Sequence, residues 1–584
     1  MHVTGILPEL KTFVLAAALC AFTAAGAMAD QDDPPSRVAR LNYMTGSVSF
    51  RPGSVEEWTS ASLNFPLTTG DHLWAESGAQ TELHVGSTAI RMGSQTALAI
   101  VNLDDRTTQL SLTQGVLEVH IRALADDESF EVDTPNVAVT LLRPGDYRID
   151  ADGDNNISNV TVRFGDAEVS GNGAAFPVHA RESARITGAE TIAQEMMAAP
   201  PPDGFDNWCA DRERRESEAR TSARYVPRDM VGYEDLDEYG EWRDVPPYGW
   251  VWTPRNVAAG WAPYHYGRWA WVEPWGWTWI DDAPWGFAPF HYGRWAFAGG
   301  SWLWVPGRMV VGVRPVYAPA LVAFVGGAGI GVGVAAWFPL GPGEVYRPAY
   351  HVSETYVRQV NIIHVTNVNV VNVTNVRYVN QGVAGAVTAV PHEAFVGARP
   401  IHQVALRMDV RVAAQAQVIG ATAMVAPRRE SVLAHAAPAA APPPARIVQR
   451  SVVARTPPPP PPVSFAAKQR ALETNQGRPL APAEVNSIRP TAPAPRPMVR
   501  TVAPPRPEQP RNERPIPAVS RPVERPIERP AERPADRPVD RPIERPTNRP
   551  VEQPRVEQHN ERPANERPPQ KNSRKDEKKK EEKK

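Results

Sequence analysis

Cysteine is nearly absent from this chain of 584 residues, which contains only Cys20 and Cys209. Cys20 lies in an N-terminal segment that we predict is removed, so neither an internal disulfide nor a cysteine-based metal site is expected. Common catalytic motifs are also missing: there is no nucleophile elbow and no His-Glu-x-x-His. We therefore predict a non-enzymatic protein without a cofactor. Three or more acidic or imidazole groups that converge on one deep, polar cleft of the folded body would contradict this prediction.

The N-terminal 29 residues have the pattern of an export signal. An uncharged run follows Lys11 and ends in Ala27-Met28-Ala29, which is typical of a secretory signal peptide. A membrane anchor is the alternative, but Ala, Thr and Gly dilute the run below the apolar character of a membrane span. Leu19 precedes Cys20 where a lipid-attachment site has a small residue, so no lipoprotein is expected. We predict a periplasmic or other extracytoplasmic location.

Aromatic residues are also scarce in the last quarter of the chain. Residues 421–584 contain 35 of the 62 prolines and one aromatic, Phe465. Such a segment buries too little apolar surface to offset its ordering entropy, so we predict a disordered tail. From Arg521 to Asn548 it repeats Arg-Pro-x-Glu/Asp, a pattern that favours extended polyproline II.

Charge is divided unequally between this tail and the rest of the chain. The tail has 33 Lys+Arg against 19 Asp+Glu, and residues 1–420 have 30 against 46. The formal charges are therefore +14 and −16. A spacer across the envelope is one interpretation of the tail, and electrostatic attachment to cell wall polymers or a membrane surface is the other. Nucleic acid is not an expected partner, because the tail lacks aromatic residues for base stacking.

Residues 37–190 have the pattern of an antiparallel β domain. Short β-branched or alternating segments are separated by glycines, and no convincing amphipathic helix interrupts them. The segments are Tyr43–Phe50, Thr81–Val85, Leu110–Leu112, Leu117–Ile121, Phe130–Val132, Val137–Leu142 and Val160–Phe164. Strands without crossover helices favour a sandwich, a barrel or a β-roll.

Motifs of this region resemble the FecR domain. In order, they include Gly46-Ser47-Val48, Pro66-Leu67-Thr68-Thr69-Gly70-Asp71, Asp133-Thr134-Pro135-Asn136 and Gly145-Asp146-Tyr147-Arg148. The resemblance implies a periplasmic β fold. FecR proteins are membrane sensors with a cytoplasmic anti-sigma segment, whereas the signal peptide predicted here leads directly into the β domain. A FecR-type signalling sensor is therefore only an alternative.

Residues 191–236 are predicted to form a connector with one helix, from Phe205 to Ala223. Arginine and glutamate alternate along it at helix-compatible spacings. A solvated linker helix is the simplest interpretation.

Tryptophan is concentrated in the next region, residues 237–380. Thirteen of the 17 tryptophans lie between Tyr239 and Val305, in an internal repeat of Tyr-Gly-x-Trp followed by Trp-x-Trp. Trp-x-Trp places two indoles on one face of a strand, and the Pro- and Gly-rich intervals are too broken for helices. The repeat therefore predicts β-hairpins that must pack together.

Three roles for the repeat remain open. The indoles can form a core, or they can form a binding surface for glycan, peptidoglycan or envelope proteins. The residues proposed for such a surface are Trp242, Trp250, Trp252, Arg268, Trp269, Trp277, Trp279, Arg294, Trp295, Trp302 and Trp304. A metal site at His265 and His291 is disfavoured, because no acidic or cysteine companions occur at a ligand spacing.

The same region resembles an uncharacterised family, one of the domains of unknown function that follow FecR-like domains in exported bacterial proteins. The similar stretches run from Phe205-Asp206-Asn207-Trp208 through the repeats to Trp337-Phe338-Pro339-Leu340-Gly341-Pro342-Gly343-Glu344. This resemblance implies no activity.

Two further strands are predicted after the repeats. Gly327, Gly329, Gly331 and Gly333 alternate with aliphatic residues, as in a strand with one bare face. Valine alternates with asparagine from Tyr356 to Val379, as in a strand with one polar face. A membrane span over Ala320–Phe338 and an exposed edge that pairs with another chain are the respective alternatives.

The sequence therefore predicts a mainly β protein in six parts. They are the signal peptide (1–29), a FecR-like β domain (37–190), a connector (191–236), a tryptophan-rich domain (237–380), a second connector (381–420) and a disordered basic tail (421–584). We expect a structural, scaffolding or interaction role in the cell envelope, with carbohydrate binding and FecR-type sensing as the alternatives.

Overall fold

The computed structural model describes residues 32–310, 313–327, 329–361, 378–439, 441–490 and 499–502. These residues belong to one compact unit. The predicted fold class is confirmed, because antiparallel strands dominate the secondary structure. The predicted signal peptide and residues 503–584 lie outside the described residues. No helix among the described residues is long and apolar enough to cross a membrane.

The N-terminal β domain contains seventeen strands within residues 39–198. They are β1 (Ala39–Thr45), β2 (Val48–Arg51), β3 (Thr59–Ser60), β4 (Pro66–Leu67), β5 (His72–Ala75), β6 (Gln80–Val85), β7 (Thr88–Met92), β8 (Thr96–Leu103), β9 (Thr107–Ile121), β10 (Ser129–Asp133), β11 (Ala138–Leu141), β12 (Gly145–Asp152), β13 (Ile157–Phe164), β14 (Asp166–Gly171), β15 (Ala174–His179), β16 (Glu182–Thr187) and β17 (Ala193–Ala198). Every strand segment predicted from the sequence in this region overlaps one of them.

The strands form two sheets that share β9. The first sheet has the order β4-β1-β6-β7-β9-β12-β13-β16-β17, and the second has the order β3-β2-β5-β8-β9-β10-β11-β14-β15. Strand β9 passes from the second sheet to the first at Gly115, whose φ is +98°. An added Cβ there would lie 2.5 Å from the Cα of Thr96, so only glycine fits this crossing.

The connector contains a helix, as predicted, but the helix is not solvated. Helix α1 (Gly204–Glu218) ends five residues earlier than expected and begins at Asp203, which caps the backbone N–H groups of Phe205 and Asp206. One of its faces packs on the first sheet, burying Cys209 and Glu216. Short 3₁₀ turns follow at Ser222–Arg224 and Tyr233–Asp235, and then helix α2 (Leu236–Tyr239).

The tryptophan repeat forms three β-hairpins, as predicted. Their strands are β18 (Gly240–Val245), β19 (Gly249–Pro254), β20 (Gly267–Val272), β21 (Gly276–Asp281), β22 (Arg294–Ala298) and β23 (Ser301–Val305), with helix α3 (Ala288–His291) before the third hairpin. Each hairpin pairs its Tyr-Gly-x-Trp indole with the second indole of Trp-x-Trp. The pairs are Trp242 with Trp252, Trp269 with Trp279, and Trp295 with Trp304.

The glycine of each Tyr-Gly element lies beneath an indole of its own hairpin. A Cβ on Gly240 would lie 2.1 Å from Cε2 of Trp252, and one on Gly267 would lie 2.7 Å from Cζ2 of Trp279. The third copy repeats this close approach of glycine and indole. The repeat therefore specifies a packing unit in which the absence of a side chain at glycine admits the ring.

The predicted glycine-rich strand is wrong. Strands β24 (Val322–Gly326) and β25 (Val334–Pro339) form a hairpin, and the glycines lie in the loop between them. Gly327, Gly331 and Gly333 have φ values of +101°, +91° and +76°. These values belong to turns and not to extended backbone, which explains the loop.

The prediction that residues 381–420 form a second connector is also wrong, because these residues complete the sheet that contains β24 and β25. Strands β26 (Thr388–Pro391) and β27 (Gln417–Gly420) add to it in the order β26-β25-β24-β27. Helices α5 (His392–Val396), α6 (Ile401–Val404) and α7 (Val410–Gln415) lie between these two strands. The predicted Asn–Val strand begins instead as helix α4 (Glu354–Asn361), and residues 362–377 lie outside the described residues. A 3₁₀ turn at Asn380–Gly382 follows.

The boundary predicted for the disordered tail, residue 421, is wrong. Residues 421–439, 441–490 and 499–502 lie on the folded body and contain α8 (Arg429–Val432), α9 (Ala445–Val448), β28 (Val452–Ala454), α10 (Phe465–Thr474), α11 (Pro482–Ile488) and β29 (Val499–Thr501). Phe465 and Leu472 enter the main hydrophobic core. Scattered apolar residues are enough here because they pack on an existing core and need not form one of their own.

We predict that Gly240→Ala and Gly267→Ala each lower the free energy of unfolding by about 1–3 kcal/mol, because the new methyl group must displace the Trp252 indole at Gly240, and both the carbonyl oxygen of Ile280 and the Trp279 indole at Gly267. Gly204→Ala is the control, since a Cβ there meets nothing within 4 Å. Urea unfolding followed by tryptophan fluorescence measures the difference. Equal stability of all three variants would contradict the packing role of the repeat glycines.

Candidate functional site

The outer face of the first sheet is polar, although it is buried. Glu82 and His84 on β6, Arg91 on β7 and Glu118 on β9 point away from the sandwich core and are at most 9% exposed. Their strand neighbours Leu83, Ile90 and Val119 are in the core. Because successive residues of a strand face opposite sides, this alternation produces one apolar and one charged face. Helix α1 covers the charged face.

Arg91 lies at the centre of this face and joins three carboxylates. Its Nε is 2.6 Å from Oε2 of Glu82, and its Nη1 is 3.0 Å from Oε2 of Glu118. Its Nη2 is 3.1 Å from Oε1 of Glu216, which belongs to helix α1. Arg212 of the same helix donates to Oε1 of Glu82 at 2.6 Å. The helix is therefore attached to the sheet by buried charge-assisted hydrogen bonds.

His84 connects helix α1 to the segment before the tryptophan-rich domain. Its Nε2 is 2.8 Å from Oε1 of Glu216, and its Nδ1 is 2.7 Å from Oε1 of Glu234 in the 3₁₀ turn. Burial by itself lowers the pKa of His84, but Glu216 and Glu234 outweigh it and hold this pKa well above the usual 6.5. His84 is therefore a cation at neutral pH, and it bridges two carboxylates.

Arg40 on β1 makes a second connection to the tryptophan-rich domain. Its Nη1 lies 2.6 Å from Oδ2 of Asp235 and 3.4 Å from Oε1 of Glu234. Its Nη2 donates to the carbonyl oxygen of Pro284 at 2.7 Å. Asn64 accepts two further hydrogen bonds from this guanidinium group. The β domain and the tryptophan-rich domain are thus held together by a buried arginine.

These groups form one network, which we call the junction network. Its six acidic members are Glu82, Glu118, Glu213, Glu216, Glu234 and Asp235, and its five basic members are Arg40, His84, Arg91, Arg122 and Arg212. Burial alone would raise the pKa of Glu216, but His84 and then Arg122 lower it to about 2. Buried charges of this kind are tolerated only when they are paired.

An open depression of about 440 Å³ adjoins the junction network. Its lining includes His120, Asp146, Glu213, Glu216 and Arg122. The ring of His120 contacts Asp146 through Nδ1 and lies 3.4 Å from Oε1 of Glu213 through Nε2. Burial lowers the pKa of His120, but Asp146 and Glu213 outweigh it and raise the pKa. The sequence contained no motif for this convergence of acidic and imidazole groups.

The depression brings acidic and imidazole groups together, but it is open and not a deep cleft. Arg122 occupies the space between Glu213 and Glu216, with its Nη2 2.7 Å from Oε2 of Glu213. His120 has a carboxylate at each ring nitrogen, and both carboxylates favour its protonated form. Together with Arg122 these groups form an ion-pair cluster.

Two groups of three side chains have the spacing of a metal site. They are Glu82, His84 and Glu216, and Glu118, His120 and Asp146. Within the first group, guanidinium groups of Arg91 and Arg212 already neutralise the carboxylates. In the second group, Arg91 binds Glu118. In the first group arginine thus takes the electrostatic role that a metal ion would have.

The structure places most of the proposed tryptophan surface in the interior. Seven of its nine indoles are buried, namely Trp252, Trp269, Trp277, Trp279, Trp295, Trp302 and Trp304. Trp242 is partly buried against the same core. Trp250 is 47% exposed and stacks on Tyr225 with ring centroids 4.5 Å apart. The indoles are therefore core residues, and only this Tyr225–Trp250 stack has the exposure that a sugar ring needs.

The two repeat arginines are also structural. Arg294 is 1% exposed, and it donates to the carbonyl oxygen of Glu344 and to Oδ1 of Asn361. Burial lowers its pKa to about 10. Arg268 donates to the hydroxyl of Ser62 at 2.8 Å, so it links the second hairpin to the β domain.

The two repeat histidines, unlike His120, are not bound to carboxylates among the described residues. His291 is fully buried, and its Nδ1 lies 2.8 Å from the carbonyl oxygen of Ala318. Burial lowers its pKa to about 3. His265 lies 3.3 Å from the hydroxyl of Thr388. Neither histidine is part of the acidic groups with metal-site spacing.

Comparison with known proteins identifies one part of the chain. A family of unknown function, DUF6600, matches residues 233–344. These residues form a DUF6600 domain. The match begins at the 3₁₀ turn that carries Glu234 and includes all three hairpins, but it does not include helix α1. The family description adds no activity. No curated protein matches the chain.

Two solved structures are similar to part of the chain, and both are described provisionally as an anti-sigma factor from Parabacteroides distasonis. The 2.50 Å structure is 14% identical, with 22% of this chain and 60% of that chain covered and a TM-score of 0.20. The 1.65 Å structure is 12% identical, with 26% and 64% covered and a TM-score of 0.20. The chain thus spans less than two thirds of either neighbour.

We predict that Arg91→Met lowers the free energy of unfolding by about 3–5 kcal/mol, because Glu118 would remain buried without its arginine, and Glu82 and Glu216 would each lose one of their cations. Arg106→Met is the control, since Arg106 is 71% exposed and lies 3.8 Å from Asp127. The control should change stability by less than about 0.5 kcal/mol. Urea unfolding measures both, and equal effects would contradict a structural junction network.

We also predict that Glu216→Gln changes how stability depends on pH. The folded pKa of Glu216, about 2, lies below its ordinary value of 4.5. Ionised Glu216 therefore contributes stability above pH 4.5, and this contribution is lost as the pH falls toward 2. The variant should lose on the order of 3 kcal/mol at neutral pH and approach the wild type in acid.

The urea midpoint at pH 7, 5 and 3 measures this difference. Glu218→Gln on the same helix is the matched control, because Glu218 is exposed. A constant difference between Glu216→Gln and the wild type at all three pH values would show that the carboxylate charge is not responsible.

Proposed function

We propose that this chain is a non-enzymatic protein of the cell envelope that is exported and acts as a structural or interaction scaffold. Its FecR-like β domain and its DUF6600 domain form the folded body, and the Arg-Pro-rich sequence after residue 502 is the part that reaches other envelope components. An anionic wall polymer or membrane surface is the class of partner that suits the positive charge of this Arg-Pro-rich sequence.

The junction network carries the proposal. In the junction network Glu82 and Glu216 are bound to arginines, and His84 binds Glu234, so that the network joins the β domain, helix α1 and the turn at the start of the DUF6600 domain. Such groups stabilise an assembly of segments and leave no free base or nucleophile at that position. The buried indoles likewise support a rigid body.

The distribution of charge supports an arm after residue 502. Residues 421–502 have 11 Lys+Arg against 3 Asp+Glu, and residues 503–584 have 22 against 16. Cations of the first part pair with carboxylates of the body, including Arg429 with Glu57 and Arg500 with Glu190. More than half of the tail's positive excess therefore lies in the segment that contacts the body, and a formal +6 remains beyond it.

We predict that the full chain is recovered outside the cytoplasm with Asp30 as its first residue. Cell fractionation followed by mass spectrometry of the N-terminus measures this. Ala27→Arg with Ala29→Arg is the matched variant, since it removes the small residues of the cleavage pattern. A cytoplasmic protein that keeps Met1 would contradict export.

We further predict that the arm attaches the protein to envelope material through charge. The experiment compares three proteins: the full chain, a chain that ends at Val502, and a full-length chain with the arginines of residues 503–584 changed to glutamine. Only the first should sediment with cell-wall or outer-membrane fractions at low salt, and high salt should release it. Equal sedimentation of the chain ending at Val502 would contradict this role of the arm.

A further inference from the structure

Residues 450–456, which we call the docked segment, lie as an extended strand against the β domain. Val452, Val453 and Ala454 are at most 3% exposed. They form β28, which pairs in parallel with β29. The segment lies beside the end of β10 and the turn that follows it. A short piece of a Pro-rich region is therefore as deeply buried as a core strand.

The β domain contacts the backbone of the docked segment at successive residues. The N–H of Val453 donates to the carbonyl oxygen of Thr134 at 2.8 Å. The N–H groups of Arg455 and Thr456 both donate to Oε1 of Glu131, at 2.7 and 3.1 Å. The carbonyl oxygen of Thr456 accepts from Nε2 of Gln109 at 2.9 Å. Contacts to backbone groups recognise an extended peptide whatever its side chains are.

Side chains of the docked segment add selectivity. The hydroxyl of Thr456 donates to Oε2 of Glu131 at 2.5 Å, and the guanidinium of Arg455 pairs with Glu168. Arg450 pairs with Asp154 and donates to the carbonyl oxygen of Thr113 at 2.9 Å. The contacts therefore favour a peptide with two apolar residues and a small residue at positions 452–454, a cation at position 455 and a hydroxyl at position 456.

The floor of this groove needs a polar occupant. Glu131 is 2% exposed, and all of its donors in the hydrogen bonds described above come from Arg455 and Thr456. Asp133, which is fully buried next to Glu131, binds Gln109 through Oδ2 and has no partner for Oδ1 among the described residues. If the docked segment leaves, the buried carboxylate of Glu131 loses these hydrogen bonds. This loss raises the free energy of the open groove unless another donor enters.

We propose that this groove is a peptide-binding site, that the docked segment occupies it in the absence of a partner, and that an extended cationic segment of a partner polypeptide displaces it. The partner segment carries apolar side chains followed by Arg or Lys and then Thr or Ser. The acidic residues Glu131, Glu168 and Asp154 provide charge complementarity to such a segment.

The flanking sequence permits the exchange. Helix α9 precedes the docked segment, and Pro457–Pro462 follow it. The proline-rich flank on the C-terminal side has no internal hydrogen bonds that must break when the segment leaves. The pairs of Arg455 with Glu168 and of Arg450 with Asp154 are partly exposed, so they contribute more to the choice of a cationic segment than to its affinity. The buried contacts at residues 452–456 are the ones a competitor must reproduce.

Binding of a labelled peptide of residues 448–458 to the full chain tests the proposal. Val453→Pro removes the N–H that Thr134 accepts and should open the groove. The peptide should bind this variant at least about tenfold more tightly than the wild type, whose own segment competes at high effective concentration. Adding Glu131→Gln should weaken binding about tenfold, and so should Thr456→Val in the peptide.

Glu195→Gln in the Val453→Pro chain is the matched control on the exposed strand β17, and it should leave binding unchanged. If Val453→Pro does not fold, the double variant Arg455→Ala, Thr456→Val replaces it. Failure of the peptide to bind a folded variant whose segment has become protease-sensitive would overturn the proposal, as would binding that ignores Glu131→Gln. Wild-type dimers that the free peptide dissociates would support it and identify a second copy as the source.

Discussion

Charge burial on the outer face of the first sheet constrains the whole body. Arg91 and Glu82 are inaccessible to water, so each must have its partners in place when the chain is folded. Those partners come from strands, from helix α1 and, through His84, from Glu234 at the start of the DUF6600 domain. Segments more than a hundred residues apart must therefore be in place together before these charges can be buried. A network of this kind favours one arrangement of the modules over others.

Aromatic packing supplies the rest of the stability in a chain without a disulfide among its described residues. Trp269 packs edge-on against Trp279 and Trp337, with ring centroids 5.6 and 5.4 Å apart. Repeated glycines bring the backbone of one strand against the indole of the next, so the rings pack closely. The indole N–H groups of Trp252 and Trp304 donate to backbone oxygens, which meets the polar requirement of a buried tryptophan.

The C-terminal region shows how the same composition can have two roles. Low aromatic content predicted disorder for residues 421–502, as for the rest of the tail. They pack nevertheless, because Phe465 and Leu472 enter a core that other residues have built, and because their cations meet acidic groups of the body. Charge asymmetry along the chain was visible in the sequence. Which of these charges pair within the molecule depends on which surfaces come together in the fold.

Periodicity and composition alone determined the β class, the tryptophan hairpins and the existence of helix α1, since strands, turns and helices follow from local spacing. The prediction of a glycine-rich strand was wrong because alternation of glycine with aliphatic residues is also compatible with a loop. The positive φ angles of the glycines decide between strand and loop. The polar alternation of Glu82, His84 and Glu118 was visible, but whether it faced water could not be read locally. Only the tertiary structure decided that, because helix α1 and Glu234 must fold onto the sheet before the charges are buried. It also decided that the indoles face inward, since burial depends on neighbours that are distant in sequence.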